Sequence, residues 1–150
     1  MNIPLLLETA LVCLSLNVYH EAKNQSVVGQ AAVAEVVMNR VADSRYPNSV
    51  CEVVKQGPTR PSWKDPNTEI PIKHKCQFSW YCDGKTDNPK DDIHWKRAKA
   101  IAKLVLYNRI PIDVTEGATH YHATYVKPSW AKTKTRTTRI ETHIFYRWEQ

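Results

Sequence analysis

An α+β fold in one domain, residues 1–150, is what this sequence predicts, and three observations predict it. Apolar residues recur at spacings of three and four in three segments, near 4–22, 26–46 and 91–108. Two late segments, GATHYHATYV and RIETHIFYRW, are rich in Thr, Tyr, Val, Ile and Phe with short-period alternation, as strands are. Between them, residues 43–89 hold six prolines and three of the four cysteines, a composition that favours turns and brief strands over long helices.

The elements follow in order. Pro4 suits a first helical turn, and Leu7, Leu11, Leu14 and Val18 form one stripe of a helix over 4–22. Glu21 falls three residues past Val18, on or beside that stripe, where a simple solvated charge is not expected. Ser26 is the expected N-cap of a second helix whose stripe is Val27, Ala31, Ala34, Met38 and Val41. Its small residues allow close packing against the first helix, which holds the end bearing Glu21. Glu35, in mid-helix, is expected to be solvated or paired one turn away, and Asn39 and Arg40 to support the backbone around the helix end.

A short helix is expected over 49–56. CQFSWYCDG, residues 76–84, reads as a strand or loop lining a cleft, with Asp83-Gly84 as its turn. Asp91 and Asp92 open a third long helix carrying Ala98, Ile101, Ala102 and Val105, which Pro111 stops. No internal repeat or linker divides the chain.

Composition narrows the function. The chain has 150 residues, 42% hydrophobic and 24% charged, with 21 Lys and Arg against 15 Asp and Glu. The resulting net charge of +6 favours anionic partners or simple solubility. No helix-turn-helix, zinc-finger or RNP1-like pattern is found, so no nucleic acid partner is expected. The apolar start lacks a basic n-region and a cleavage site, and no run reaches the length of a membrane span, so neither a signal peptide nor an anchor is expected. Cys13, on an apolar helical stripe, is expected to be a buried free thiol. A disulfide among Cys51, Cys76 and Cys82 is open to an oxidising compartment.

Glu21 leads the candidates for chemistry. A carboxylic acid at an apolar helix end, near Tyr19 and Trp80, resists ionisation and can serve as a general acid, which glycoside cleavage requires. Tyr19, Phe78, Ser79 and Trp80, with Tyr121, would give aromatic and hydroxyl walls for sugar rings. His120 and His122 share a strand face, and His143 on a pairing strand could join them, so a zinc-dependent amidase or peptidase is the competing class. Their plainer role is to position substrate or Glu21 through hydrogen bonds, with no metal and no cofactor. In KTKTRTTR an extended chain would put Lys132, Lys134 and Arg136 on one side, open to anionic envelope polymers, although a solvated loop that blocks edge pairing is the simplest role.

The runs LNVYHEA, GQAAVAEVVMNRV, YPNSVCEVV, CQFSWYCDG, GATHYHATYVKPSWA and THIFYR occur here in the order found in the SleB/CwlJ-type cell wall hydrolases, and together they resemble that family over residues 11–147. The resemblance implies a lysozyme-like catalytic domain that cuts the glycan strands of peptidoglycan, with Glu21 of the YHEA run as its catalytic acid. It also implies a lytic transglycosylase route, in which one glutamate protonates the glycosidic oxygen and then takes a proton from the muramyl C6 hydroxyl. A hydrolytic muramidase would need a second carboxylate, for which Asp83, Asp113 and Glu116 are available but unplaced. A non-enzymatic wall-binding module is the third class. The protein is expected to act as a monomer, made in a host cytoplasm and released to the periplasm or wall as a phage-type endolysin, the alternative being a nonclassically delivered bacterial enzyme.

Overall fold

Thr9 opens the first helix: its hydroxyl accepts the Val12 N–H at 3.2 Å, and α1 runs Ala10–Ala22. The computed structural model describes residues 9–107 and 113–149, so the expected start at Pro4 and the stop at Pro111 lie outside the described residues. α2 (Val27–Ala42) begins at the expected N-cap, the Ser26 hydroxyl accepting the Gly29 N–H at 3.1 Å. A short α3 (Val50–Val54) follows, then a hairpin of β1 (Thr59–Pro61) and β2 (Glu69–Pro71), and a 3-10 turn at Ser79–Cys82. α4 (Asp92–Leu106) starts where the Asp91 carboxylate accepts the His94 N–H at 3.0 Å. β3 (His120–Ala123), a second 3-10 turn (Ser129–Thr133), β4 (Thr135–Ile140) and β5 (His143–Arg147) complete the described chain. The last three strands form an antiparallel sheet in the order β3-β5-β4.

α2 is the shared element of two layers. Its Ala34 and Val37 enter a helical core with Leu14, Val18, Val53, Val54, Ala98 and Ala102. Its Ala32 and Val36 turn the other way and pack under Ala118 and Phe145 of the sheet layer. A helix covered on two sides needs small side chains to let both layers approach, which explains its Ala and Val content. The sheet is tied to the α1–α2 turn as well: the Ser26 N–H donates to the Glu141 carboxylate at 2.9 Å, across the turn that joins β4 to β5.

Several expectations change. Cys13 is buried but not free. α1 packs on α3, which sets Cys13 beside Cys51 in a disulfide, and Cys76 pairs with Cys82. Helical periodicity reveals burial and says nothing of which distant residue meets the buried face. Of the two forms expected for CQFSWYCDG, strand or loop, it takes the loop, with a 3-10 turn at Ser79–Cys82 that the Cys76–Cys82 bridge closes and from which Trp80 turns inward. Its Asp83-Gly84 turn does form, with Gly84 at φ 82°, a conformation open to glycine. KTKTRTTR is no loop: Lys132 lies in the second 3-10 turn, and residues from Thr135 on form the edge strand β4, with a bulge between Arg136 and Thr138.

Glu35 is also a correction, being neither solvated nor paired along its helix. Its side chain is buried and accepts the N–H groups of Val114 and Thr115 at 3.2 Å each, plus the Thr115 hydroxyl at 3.1 Å. It is the anchor for the loop that enters β3. Burial pushes its carboxyl up, against these bonds, which favour the charged form. Glu35→Ala is expected to destabilise the fold by about 2–3 kcal/mol, because the buried N–H groups lose their acceptor; urea denaturation measures this, and an unchanged midpoint would show that the loop needs no such anchor. No helix among the described residues is long and apolar enough to cross a membrane.

Candidate active site

Asn17 and Glu21 lie four residues apart on α1, so they share one helix face. Asn17 is fully buried and its side-chain oxygen accepts the Trp80 indole N–H at 2.9 Å. This bond fixes Trp80, whose ring then stacks on His20 at 4.6 Å between centroids and 16° between planes. His20 is held further by a 2.9 Å hydrogen bond between its Nε2 and the Asp87 carbonyl. Glu21 therefore stands at the end of a helix whose last turn is clamped from one side by the 3-10 turn.

The sheet supplies the other side. Tyr121, on β3, donates its hydroxyl to Glu21 Oε1 at 2.6 Å, while its ring packs against Phe145 and His143. Burial pushes the Glu21 carboxyl above its ordinary value, outweighing the Tyr121 hydrogen bond and the attraction of Arg40, both of which pull it down. Tyr121 is pushed well above the usual phenol range by burial and by the neighbouring carboxylate, so it stays a donor. Arg40 is buried, donates Nε–H to the Thr119 carbonyl at 2.7 Å and lies 5.1–5.2 Å from the ring centres of Tyr46 and Phe78. It is the cation that acts on Glu21.

The expected wall residues divide. Ser79 is exposed at the start of the 3-10 turn. Trp80 is buried in the helical core, 7% exposed. Tyr19 and Phe78, expected at the groove, are core residues: the Tyr19 hydroxyl accepts the N–H groups of Lys90 and Asp91 at 3.2 Å each, and Phe78 lies under Arg40. Helical spacing places Tyr19 two residues from Glu21, which is a different face. The sequence does not announce the parts of His20, Asn17 and Arg40 around Glu21; a buried asparagine bonded to an indole 63 residues away leaves no local mark.

The histidines do not converge. His120 and His122 face Trp130 on the outer side of the sheet, whereas His143, opposite Ala123 in the register, faces Tyr121 on the helix side. His122 is bonded through Nδ1 to the Ala123 carbonyl at 2.7 Å and through Nε2 to the Tyr146 hydroxyl at 2.9 Å. The His120 Nδ1 meets the Thr119 hydroxyl at 2.9 Å, and burial, with Arg40, Lys134 and Arg45 nearby, lowers its pKa to about 4, so it is neutral at pH 7. Among the described residues no group of three His, Cys, Asp or Glu has the geometry of a metal site. The imidazoles that would bind zinc thus lie on opposite faces of the sheet, His143 on one and His120 and His122 on the other.

No second carboxylate joins Glu21 from the expected set. Asp83 accepts the Lys85 N–H at 2.9 Å, Asp113 accepts the Gly117 N–H at 3.1 Å, and Glu116 sits in a left-handed turn at φ 56°. A cavity of about 470 Å³ opens elsewhere, beside Asn39, Arg45, Thr119 and Trp148, and Glu21 does not line it. Both of its arginines are already paired, Arg45 with Asp43 at 2.7 Å and Arg147 with Glu149.

A family profile described as "Cell Wall Hydrolase" matches residues 24–146. The chain belongs to the cell wall hydrolase family. Its fold is similar to the catalytic domain of the germination-specific lytic transglycosylase SleB from Bacillus anthracis, at 22% identity over 92% of this chain and 93% of that one, with a TM-score of 0.68. It is likewise similar to the catalytic domain of the Bacillus cereus SleB protein, at 24% identity over 92% and 90% of the two chains, with a TM-score of 0.65. A search of curated proteins finds no match. The α+β, lysozyme-like architecture expected from the sequence is therefore found in this cell wall hydrolase. The family match begins three residues past Glu21, so the role of that residue rests on geometry.

Proposed function

We propose that this cell wall hydrolase is a lytic transglycosylase that cleaves the MurNAc-GlcNAc bond of peptidoglycan with Glu21 as sole acid and base. The observation that carries this is the Glu21 carboxyl itself: half-withdrawn from water at a helix end, bonded on Oε1 by Tyr121, and raised in pKa by burial. The protonated carboxyl gives its proton to the glycosidic oxygen as the C1–O bond breaks. The muramyl C6 hydroxyl then bonds to C1, its proton passing to the Glu21 carboxylate, which restores the acid. No water is consumed, and neither Asp83, Asp113 nor Glu116 is among the groups that act on the Glu21 carboxyl.

Arg40 and the Tyr121 hydroxyl have a defined part in this cycle. Both favour the carboxylate, so they stabilise Glu21 after it has given up its proton, while burial favours the acid form before. Tyr121→Phe removes one of these terms. It is expected to lower kcat by roughly 10-fold, as loss of a charged hydrogen bond does, and to move the alkaline limb of the pH–rate profile to higher pH. A limb that stays in place would show that Tyr121 does not tune Glu21.

The test of the function is digestion of purified peptidoglycan by wild type and Glu21→Gln, with and without a chelator, followed by mass spectrometry. Anhydromuramyl ends that vanish in the variant and ignore the chelator support the transglycosylase. New reducing ends would replace it with a muramidase, and chelator-sensitive release of stem peptides would replace it with a zinc amidase. Unaltered wall with intact binding would leave a wall-binding module.

Finer parts of the proposal concern the envelope. Lys132 and Arg136 are exposed and are the cations offered to anionic wall polymers, whereas Lys134 lies 4.8 Å from the Trp148 ring centre. Ser79, Trp80, His120 and His122 remain the proposed sugar contacts, with Tyr121 reaching substrate only through Glu21. Action as a one-domain monomer delivered to the wall as an endolysin is part of the same proposal; lysis of intact host cells only after the inner membrane is permeabilised would support it.

A further inference from the structure

Trp63 is 90% exposed, yet the loop that carries it is built to hold one shape. Between β1 and β2 the Ser62 N–H donates to the Thr68 carbonyl at 2.8 Å, and the Thr68 N–H to the Asp65 carbonyl at 2.9 Å. The Asp65 carboxylate accepts the Asn67 N–H at 3.1 Å and the Thr68 hydroxyl at 2.8 Å. Pro61 and Pro66 fix two more φ angles. An indole presented by such a loop is ordered before any partner arrives, so binding loses little conformational freedom.

The surroundings of the ring select the partner. Within the hairpin Arg60 and Lys64 are balanced by Asp65 and Glu69, in a chain that is otherwise strongly basic. That balance disfavours an anionic polymer or lipid. Ser62 and Lys64 flank the indole, so a single ring without aliphatic neighbours offers too little apolar area to enter a bilayer. A neutral ligand with one flat apolar face and polar edges fits instead, and a pyranose ring is such a ligand.

The hairpin is rooted beside the site without entering it. The Ile72 N–H bonds the Pro58 carbonyl at 3.0 Å to close its base, and the His74 N–H bonds the Cys82 carbonyl at 2.9 Å, at the end of the turn that carries Trp80. The side chains that act on Glu21, those of Tyr121 and Arg40, come from other elements. Resting on the function proposed above, we infer that Trp63 is an outlying stacking platform for a glycan strand, gripping sugars away from the bond that Glu21 cleaves.

Sedimentation with purified sacculi stripped of anionic polymers tests this, using Glu21→Gln protein so that the wall stays intact. Trp63→Ala in that background is expected to weaken binding by about 3- to 10-fold, and Trp63→Phe by less, from the loss of one aromatic contact. Ile93→Ala, at a residue 79% exposed on α4, is the control for general stickiness and is expected to change nothing. Equal binding by Trp63→Ala overturns the inference, and so does a loss seen only on unstripped walls, which would assign the ring to the anionic polymer. If wild type cleaves sacculi and Trp63→Ala binds normally, the inference alone falls; if wild type neither binds nor cleaves them, the glycan-cleaving function falls and takes the platform with it.

Discussion

Glu21→Gln lowers glycan cleavage by about 10³-fold or more while the protein melts at or above the wild-type temperature at pH 7. The first half follows from the role proposed for Glu21 in giving and retrieving the proton, since a positioned acid–base residue contributes about 10²–10⁴-fold. The second half follows from burial. The folded state raises the Glu21 pKa, so over the range between the ordinary and the raised value it holds a proton that the unfolded chain releases. Stability is therefore greatest below that range and declines as pH rises through it. Wherever the wild type ionises it must keep a poorly solvated carboxylate, whereas Gln accepts the Tyr121 hydroxyl with no charge to bury at any pH. Cleavage assays paired with thermal melts measure both. A variant that is inactive and also much less stable would mean that Glu21 holds the fold together, and its catalytic role would need other support.

Replacing Cys13 and Cys51 by Ser is expected to lower stability by about 4 kcal/mol, because their bridge spans a long loop and restricts the unfolded chain. The two are 38 residues apart, against 6 for Cys76 and Cys82, whose loss is expected to remove about 2 kcal/mol. For a chain of this size the first change corresponds to a fall of about 8–16 °C in Tm. Calorimetry of the two double variants gives the comparison. The smaller effect on Tm is expected to carry the larger effect on activity, since the Cys76–Cys82 loop holds Ser79 and Trp80. Equal melting of the Cys13→Ser/Cys51→Ser protein and wild type would show that packing of α1 on α3 needs no covalent support.

What could be read from the sequence was what neighbouring residues decide. Ser26 and Asp91 announce their helices because a cap acts within three residues, and Glu21 is conspicuous because the segment around it is apolar. The remainder depends on partners far along the chain. Glu35 looks like any mid-helix acid until the backbone near Thr115 arrives, 80 residues later, with N–H groups that need an acceptor. His143 alternates correctly as a strand residue, but only the register with Ala123 shows that it faces away from His120 and His122. Tyr121 could be read as an aromatic wall, whereas its hydroxyl on Glu21 could not, because the bond spans 100 residues. The burial of Trp80 is hidden for the same reason: its acceptor, Asn17, belongs to another element.

The Glu141 side chain, at the tip of the β4–β5 turn with φ 49°, reaches across to the Ser26 N–H. It ties the sheet that carries Tyr121 to the turn that follows the helix bearing Glu21, through a bond remote from both side chains. Lengthening the β4–β5 turn is therefore a way to shift the sheet against the helical layer while Glu21, Tyr121 and Arg40 all keep their identity.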